Sequence, residues 1–445
     1  MVRQQWSLWY GWVNFWVLGG LYGYFKKIEI TGKENIPQKT PVLLALNHQN
    51  AFLDAIAVAA LFDSQPHFLV RADVFKSPIA KSFFASIRMM PIYRERDGVN
   101  TVDYNKPIFE KCYSILAKGG QIILFPEGSH DRHKVLRPIK KGISRIAFGA
   151  EEAYDFNLGV QIVPVGINYS QYNKFWGTLH INIGKPVKVS EFVQAYKEHG
   201  NKGNKLLSKS VHQALSSVMV DYGKTEFHDA LEFLRLIFPG YIHEKAGERK
   251  GMLASETKSA QVFISKFSQW SEHNATDAHQ LKEMSFALRK MLKDAKLHPH
   301  IMSDCGRKRI TLGDRLALVF GAPIFVFGLA LHYLPFIYPK RFCENRVKDS
   351  VFHSSLKMAF GLVSISATYI ILFVLGFLFL PIEQAIVFMF MIPLSGIVSI
   401  KYYYLLKRTL GRITLKNLAK NNPKKLNDIY HLVSEIKRMM GSFMD

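Results

Sequence analysis

Over the first 195 residues, apolar runs of strand length alternate with stretches whose apolar positions recur at helical spacing. Ile28-Glu29-Ile30-Thr31-Gly32 alternates as an edge strand does, and Pro37 ends it. Residues 41–46 are apolar without interruption, which suits a strand buried on both faces. That run stops at Asn47-His48, and helical spacing follows (Asp54, Ile56, Ala57, Ala60, Leu61), so His48 is expected at the mouth of a strand-to-helix turn. Further strands are predicted at 66–70, ending at Arg71, at 90–94, ending at Arg94, and at 121–125, running into Pro126-Glu127-Gly128-Ser129. Two more are predicted at 160–167 and 179–183, with helices at 83–90, 108–118 and 142–154. This alternation predicts an α/β domain over residues 26–195.

The pattern changes on either side. Residues 6–25 carry no charge and hold Trp6, Trp9, Trp12 and Trp16, with Lys26-Lys27 just after them. A secretory h-region is richer in Leu and Ala, so residues 1–25 are read as an aromatic helix lying in a membrane interface rather than a signal peptide. Residues 196–310 are polar, Lys-rich and helical, with one stripe of Leu281, Met284, Leu288 and Met291 after an expected cap at Thr276. They carry no recognisable chemistry and read as a helical linker. Residues 311–406 form a membrane region with apolar stretches at 316–338, 358–380 and 385–404.

Charge sets the expected topology. Lys340, Arg341, Arg346, Lys348 and Lys357 follow the first stretch, and residues 407–445 form a basic tail that includes Lys407, Arg408 and Arg412. A spanning hairpin made of the last two stretches keeps every basic loop on the cytoplasmic side. The first stretch, interrupted by Gly321, Pro323, Gly328, Pro335 and Pro339, is then re-entrant or interfacial.

The net charge of +23 calls for an anionic partner, and the aromatic content and apolar runs favour membrane lipid. Nucleic acid is disfavoured because the charge clusters beside the membrane segments rather than on a recognition helix or an aromatic sheet. Cys112, Cys305 and Cys343 are scattered and odd in number, which supports neither a disulfide framework nor a zinc site and suits a reducing cytoplasm. His130 and His133 lack a third ligand, so no metal is expected and both are read as surface residues.

Open α/β sheets keep their chemistry at strand ends. Asp54 is near enough to fold back on His48, either as a capping or surface pair or as a general base and its orienter. Four segments fall at expected strand ends: Asn47-His48 with Asp54, Pro91-Ile92-Tyr93-Arg94, Phe125-Pro126-Glu127-Gly128-Ser129, and Ile162-Val163-Pro164-Val165-Gly166. In order and spacing they resemble the phospholipid/glycerol acyltransferase family, the glycerol-3-phosphate and 1-acyl-sn-glycerol-3-phosphate acyltransferases, over about residues 25–195. Ile30-Thr31-Gly32, Asn35-Ile36-Pro37, Lys140-Lys141-Gly142 and Ile183-Gly184-Lys185-Pro186 add to the likeness. The family's usual block has four residues between His and Asp. Here there are five, a spacing similar to a membrane-embedded branch that includes fungal glycerol-3-phosphate acyltransferases.

The resemblance implies a membrane acyltransferase with a glycerolphosphate-acyltransferase-like α/β domain facing the cytoplasm. Its acyl donor is acyl-CoA or acyl carrier protein, its acceptor glycerol-3-phosphate or 1-acylglycerol-3-phosphate, and no cofactor is called for. It implies His48 and Asp54 as the catalytic pair and Arg94 as the phosphate-binding residue. Arg71, at another strand end, is the second phosphate candidate. Glu127, with Gly128 and Ser129, is expected to bind acceptor hydroxyls or to order the basic groups; as a plain structural feature it would be a helix-start carboxylate. With no Gly-x-Ser-x-Gly elbow and no Cys beside His48, direct transfer is expected rather than an acyl-enzyme. Two other functions fit less of the pattern: acylation of another lyso-lipid, such as a lyso-aminolipid, and a non-catalytic membrane protein that holds anionic lipid.

Overall fold

The computed structural model describes residues 7–62, 64–94, 100–171, 173–223, 225–249, 251–303 and 310–445, so Trp6 and Cys305 lie outside the described residues. The chain divides into two units. The first comprises Met1–Gly223, Met252–Thr257 and Asp349–Ser355, and the second Lys224–Gly251, Lys258–Lys348 and Leu356–Asp445.

In the first unit, α1 (Leu8–Tyr24) is capped by the Ser7 hydroxyl and leads into β1 (Lys27–Thr31). β2 (Val42–Leu46), buried at all five residues, feeds α2 (Ala51–Leu61). There follow β3 (His67–Arg71), α3 (Pro78–Ser86), β4 (Met89–Ile92), α4 (Thr101–Ala117) and β5 (Gln121–Leu124). The unit continues with α5 (Gly142–Glu152), β6 (Gln161–Tyr169), β7 (Thr178–Ile183), β8 (Val187–Lys188), α6 (Val193–Glu198) and α7 (Gly200–Val218).

The sheet order is β1-β7-β6-β2-β5-β3-β4, with β8 pairing β6. β6, β2, β5, β3 and β4 run parallel, with Leu44 opposite both Val163 and Ile123, whereas β7 and β8 run antiparallel to β6. Parallel direction is what gathers the chemistry: the carboxyl ends of five strands share one edge, and the segments after them carry His48, Phe125 and Arg94, with Arg71 and Tyr169 as the last residues of β3 and β6.

The helices α4, α5 and α7 cover one face over a core that includes Leu43, Leu116, Ile122, Ile143, Phe148, Ile162, Leu207 and Val211. The unit therefore extends to Gly223 rather than ending at residue 195. The polar majority of α7 hides a narrow stripe, Leu207, Val211 and Leu215, each fully buried and each worth about 1.5–3 kcal/mol of apolar burial.

The second unit is helical: α8 (Thr225–Ile237), α9 (Pro239–Lys245), most of α10 (Leu253–His273), α11 (Ala275–Asp294), α12 (Pro299–Met302), α13 (Leu312–Phe320), α14 (Ala322–Arg346), most of α15 (His353–Phe379), α16 (Ile382–Asn421) and α17 (Pro423–Met444). α11 starts after Asn274 rather than at a Thr276 cap, and its buried stripe is Ala278, Leu281, Ser285, Leu288 and Leu292, with Met284 and Met291 at its margin. The basic tail ends in an ordered helix: Phe443 of α17 packs on Phe263, Phe267 and Trp270, and Met440 is fully buried.

α14, α15 and α16 are each long and apolar enough to cross a membrane. Where the prolines predict a break, α14 continues through Pro335 and Pro339. Pro339 has no N–H for the Pro335 carbonyl one turn earlier, and the Ser364 hydroxyl of α15 donates to that oxygen instead at 2.8 Å.

Candidate active site

His48 lies two residues past β2, and Asp54 in the first turn of α2. His48 Nδ1 is 3.0 Å from Asp54 Oδ2, and the same oxygen accepts the backbone N–H groups of Gln49 (2.8 Å) and Asn50 (2.7 Å). The other carboxylate oxygen accepts the Tyr169 hydroxyl at 2.7 Å. Four donors, Nδ1–H among them, thus satisfy a fully buried carboxylate that fixes the orientation of the ring. Burial and the Asp54 charge push the Tyr169 hydroxyl well above its ordinary pKa, so it stays a donor. His48 Nε2 has no hydrogen-bond partner among the described residues.

Within the five-residue interval Ala51 has a φ of +42°, in the left-handed region, and the His–Asp contact closes across it. Asn47 anchors the turn from the other side. Its amide donates to the Ile167 carbonyl at 3.1 Å and its oxygen accepts the Ile167 N–H at 2.6 Å, adding a side-chain rung where the β2–β6 ladder stops.

The segment after β5 forms the opposite wall. Phe125 stacks on the His48 ring, with centroids 3.9 Å apart and planes 18° apart. Glu127 is 4% exposed; Oε1 accepts the His48 N–H at 3.0 Å, while Oε2 accepts both Nε (3.0 Å) and the backbone N–H (3.2 Å) of Arg137. Burial pushes its carboxyl up and Arg137 pulls it back. Arg137 also donates to the hydroxyl and the carbonyl of Ser129. Glu127 and Ser129 are therefore committed to ordering Arg137 and the His48 loop. Gly128 is exposed at φ +73°, a conformation that favours glycine.

His130, expected at the surface, lies against the site instead. Its ring is 5.5 Å from that of His48, nearly perpendicular to it, and Nε2 is 3.2 Å from Asp349 Oδ2. Phe352 packs on both His130 (5.1 Å) and Phe52 (5.9 Å). Ser355 Oγ accepts the Leu53 N–H and donates to the Asn50 carbonyl, both at 3.2 Å. His133 turns to Asp131, 2.9 Å away. The two phosphate candidates occupy the same sheet edge, Arg71 ending β3 and Arg94 two residues past β4. Arg71 is already paired in a bidentate fashion with Asp73. Tyr169, Arg137, His130 and Asp349 escaped the sequence reading. Tyr169 and Asp349 act through partners brought together only by the fold, the Asp349–His130 pair across 219 residues of chain, and Arg137 through a loop that folds back over eight to ten residues.

Residues 27–168 match the family described as Acyltransferase. Glycerol-3-phosphate O-acyltransferase 2 of Saccharomyces cerevisiae is 30% identical over 201 residues, 42% of this chain and 25% of its own length. A chloroplastic 1-acyl-sn-glycerol-3-phosphate acyltransferase of Brassica napus is 30% identical over 153 residues, 34% of this chain and 40% of its own. Another, from Arabidopsis thaliana, is 25% identical and covers 49% and 53%. The chain thus spans between a quarter and about half the length of these curated relatives.

Proposed function

We propose, for a chain whose α/β domain belongs to the acyltransferase family, that the whole protein is a membrane O-acyltransferase. It transfers a fatty acyl chain from acyl-CoA or acyl carrier protein to a hydroxyl of glycerol-3-phosphate or 1-acylglycerol-3-phosphate. The observation that carries this reading is His48, with Nδ1 fixed on a buried, four-times-bonded Asp54 and Nε2 left as the lone pair at the sheet edge.

The chemistry follows from that tautomer. Nε2 takes the proton of the acceptor hydroxyl as its oxygen attacks the thioester carbonyl, and Asp54 stabilises the imidazolium that forms. Collapse of the tetrahedral intermediate breaks the C–S bond, and the imidazolium returns its proton to the departing thiolate. General-base catalysis of this kind contributes about 10²–10⁴-fold. Phe125 fixes the plane of the ring, and Glu127 and Arg137 hold the two loops that meet there.

Arg94 binds the acceptor phosphate in this reading. Arg71 assists only after exchanging its Asp73 partner. The exposed faces of Trp9, Trp12, Phe15 and Trp16 on α1 and the apolar α14–α16 support attachment to a membrane; in this reading the basic loops put the catalytic unit on the cytoplasmic side. The test is purified protein supplied with labelled glycerol-3-phosphate or 1-acylglycerol-3-phosphate and each donor. The acylated product of one acceptor is expected, and Arg94→Ala should raise KM for it. Acylation of a lyso-aminolipid alone, unaffected by Arg94→Ala, would overturn the phosphate assignment.

A further inference from the structure

The His–Asp arrangement occurs twice at this site, and the general base uses only one copy. Asp349 Oδ2 faces His130 Nε2 at 3.2 Å. A carboxylate only accepts, so Nε2 carries the hydrogen. Burial, with His48 and Arg71 nearby, depresses the His130 pKa and so favours the neutral ring despite the pull of Asp349. Nδ1 is then a lone-pair acceptor, and among the described residues it has no hydrogen-bond partner. His48, 5.5 Å away between ring centroids, is its counterpart, with Nδ1 tied to Asp54 and Nε2 open. Two adjacent acceptors of this kind match an alcohol that offers two donors on neighbouring carbons.

We propose that His130, oriented by Asp349, accepts a hydrogen bond from the hydroxyl beside the one being acylated, so that the site selects acceptors with two free vicinal hydroxyls. An acceptor whose neighbouring hydroxyl is absent or already esterified leaves Nδ1 unpaired and is disfavoured. The orienting residue comes from outside the region that matches the family: Asp349 begins the segment Asp349–Ser355, which is seated by Phe352 on His130 and Phe52 and by Ser355 on the Asn50–Leu53 turn. The inference rests on the acyltransferase reading of His48.

The test compares kcat/KM for glycerol-3-phosphate with kcat/KM for 3-hydroxypropyl phosphate, which lacks only the middle hydroxyl, using the full-length protein and one acyl donor. Wild type is expected to prefer glycerol-3-phosphate by about tenfold to a hundredfold. His130→Phe keeps a ring against His48 but should bring the ratio close to one. His130→Gln retains an acceptor and should keep most of the preference. Asp349→Ala, at a side chain that is half exposed, should lower the ratio without a folding defect. A general loss of folding lowers both rates together and leaves their ratio in place, so it cannot imitate the expected result. An unchanged ratio in Asp349→Ala and His130→Phe overturns the proposal, as does a wild type that acylates only 1-acylglycerol-3-phosphate, although the acyltransferase reading survives both. A wild type that acylates none of the three overturns both readings.

Discussion

His48 and Asp54 could be found in the sequence because they lie in one turn, where the end of an apolar run and the start of a helix bracket them. Tyr169 could not, since its role depends on β6 lying beside β2 with its carboxyl end level with the turn. Removing its hydroxyl leaves one oxygen of a fully buried carboxylate without a donor. Tyr169→Phe is therefore expected to cost about 1–3 kcal/mol of stability, read by thermal unfolding, and to lower kcat as the dyad loosens. His180 allows a separate check on the fold. It is 3% exposed between Thr31 and Thr257, and burial lowers its pKa from 6.5 to about 4. The unfolded chain binds a proton at this residue below pH 6.5 while the folded chain does not until about pH 4. Stability should thus fall as pH drops through that window, by roughly 3 kcal/mol from this residue. His180→Gln should flatten the decline in a pH series of unfolding curves, and an unchanged slope would contradict the assignment.

Elements of the α/β domain were legible where punctuation brackets a strand, as Asn47 does after β2 and Gly119-Gly120 and Pro126 do around β5; without it the helix expected at 83–90 ran into β4. α7 was not, because four buried apolar side chains in a polar 19-residue helix resemble a solvated linker. The continuity of α14 through its prolines was not legible for a related reason: the Ser364 hydroxyl that satisfies the Pro335 carbonyl lies on another helix. On α1, Trp9, Trp12 and Trp16 are all exposed, and Trp9 and Trp12 stack at 5.2 Å. Indoles in a membrane interface sit at headgroup depth. In a chain with Trp6, Trp176 and Trp270 changed to Phe, lipids brominated near the headgroup should quench the remaining fluorescence more strongly than lipids brominated near the chain end. Equal quenching by both would contradict an interfacial α1.

At the scale of the whole molecule, packing and connectivity constrain the membrane topology more tightly than charge does. α17 packs against α10 and α11 within one unit, which predicts that the chain enters and leaves the apolar region on the same face and crosses an even number of times. Asp349–Ser355, between α14 and α15, belongs to the unit that holds His48. Among the described residues no helix both long and apolar enough to cross a membrane precedes α14. α14 is therefore expected to return to the face it entered, with α15 and α16 forming the crossing pair. In a cysteine-free background, an impermeant thiol reagent should label Lys348→Cys and Asn422→Cys from one face and Leu380→Cys from the other; labelling of Lys348→Cys opposite to Asn422→Cys would sink this topology. That His48, oriented by Asp54, is the base that deprotonates a glycerophosphate hydroxyl is tested by kcat/KM for glycerol-3-phosphate with a long-chain acyl-CoA in wild type, His48→Ala and Asp54→Asn. The prediction is transfer by wild type, a loss of about 10²–10⁴-fold in His48→Ala and a substantial loss in Asp54→Asn, with all three folded. Transfer by His48→Ala at the wild-type rate would contradict it.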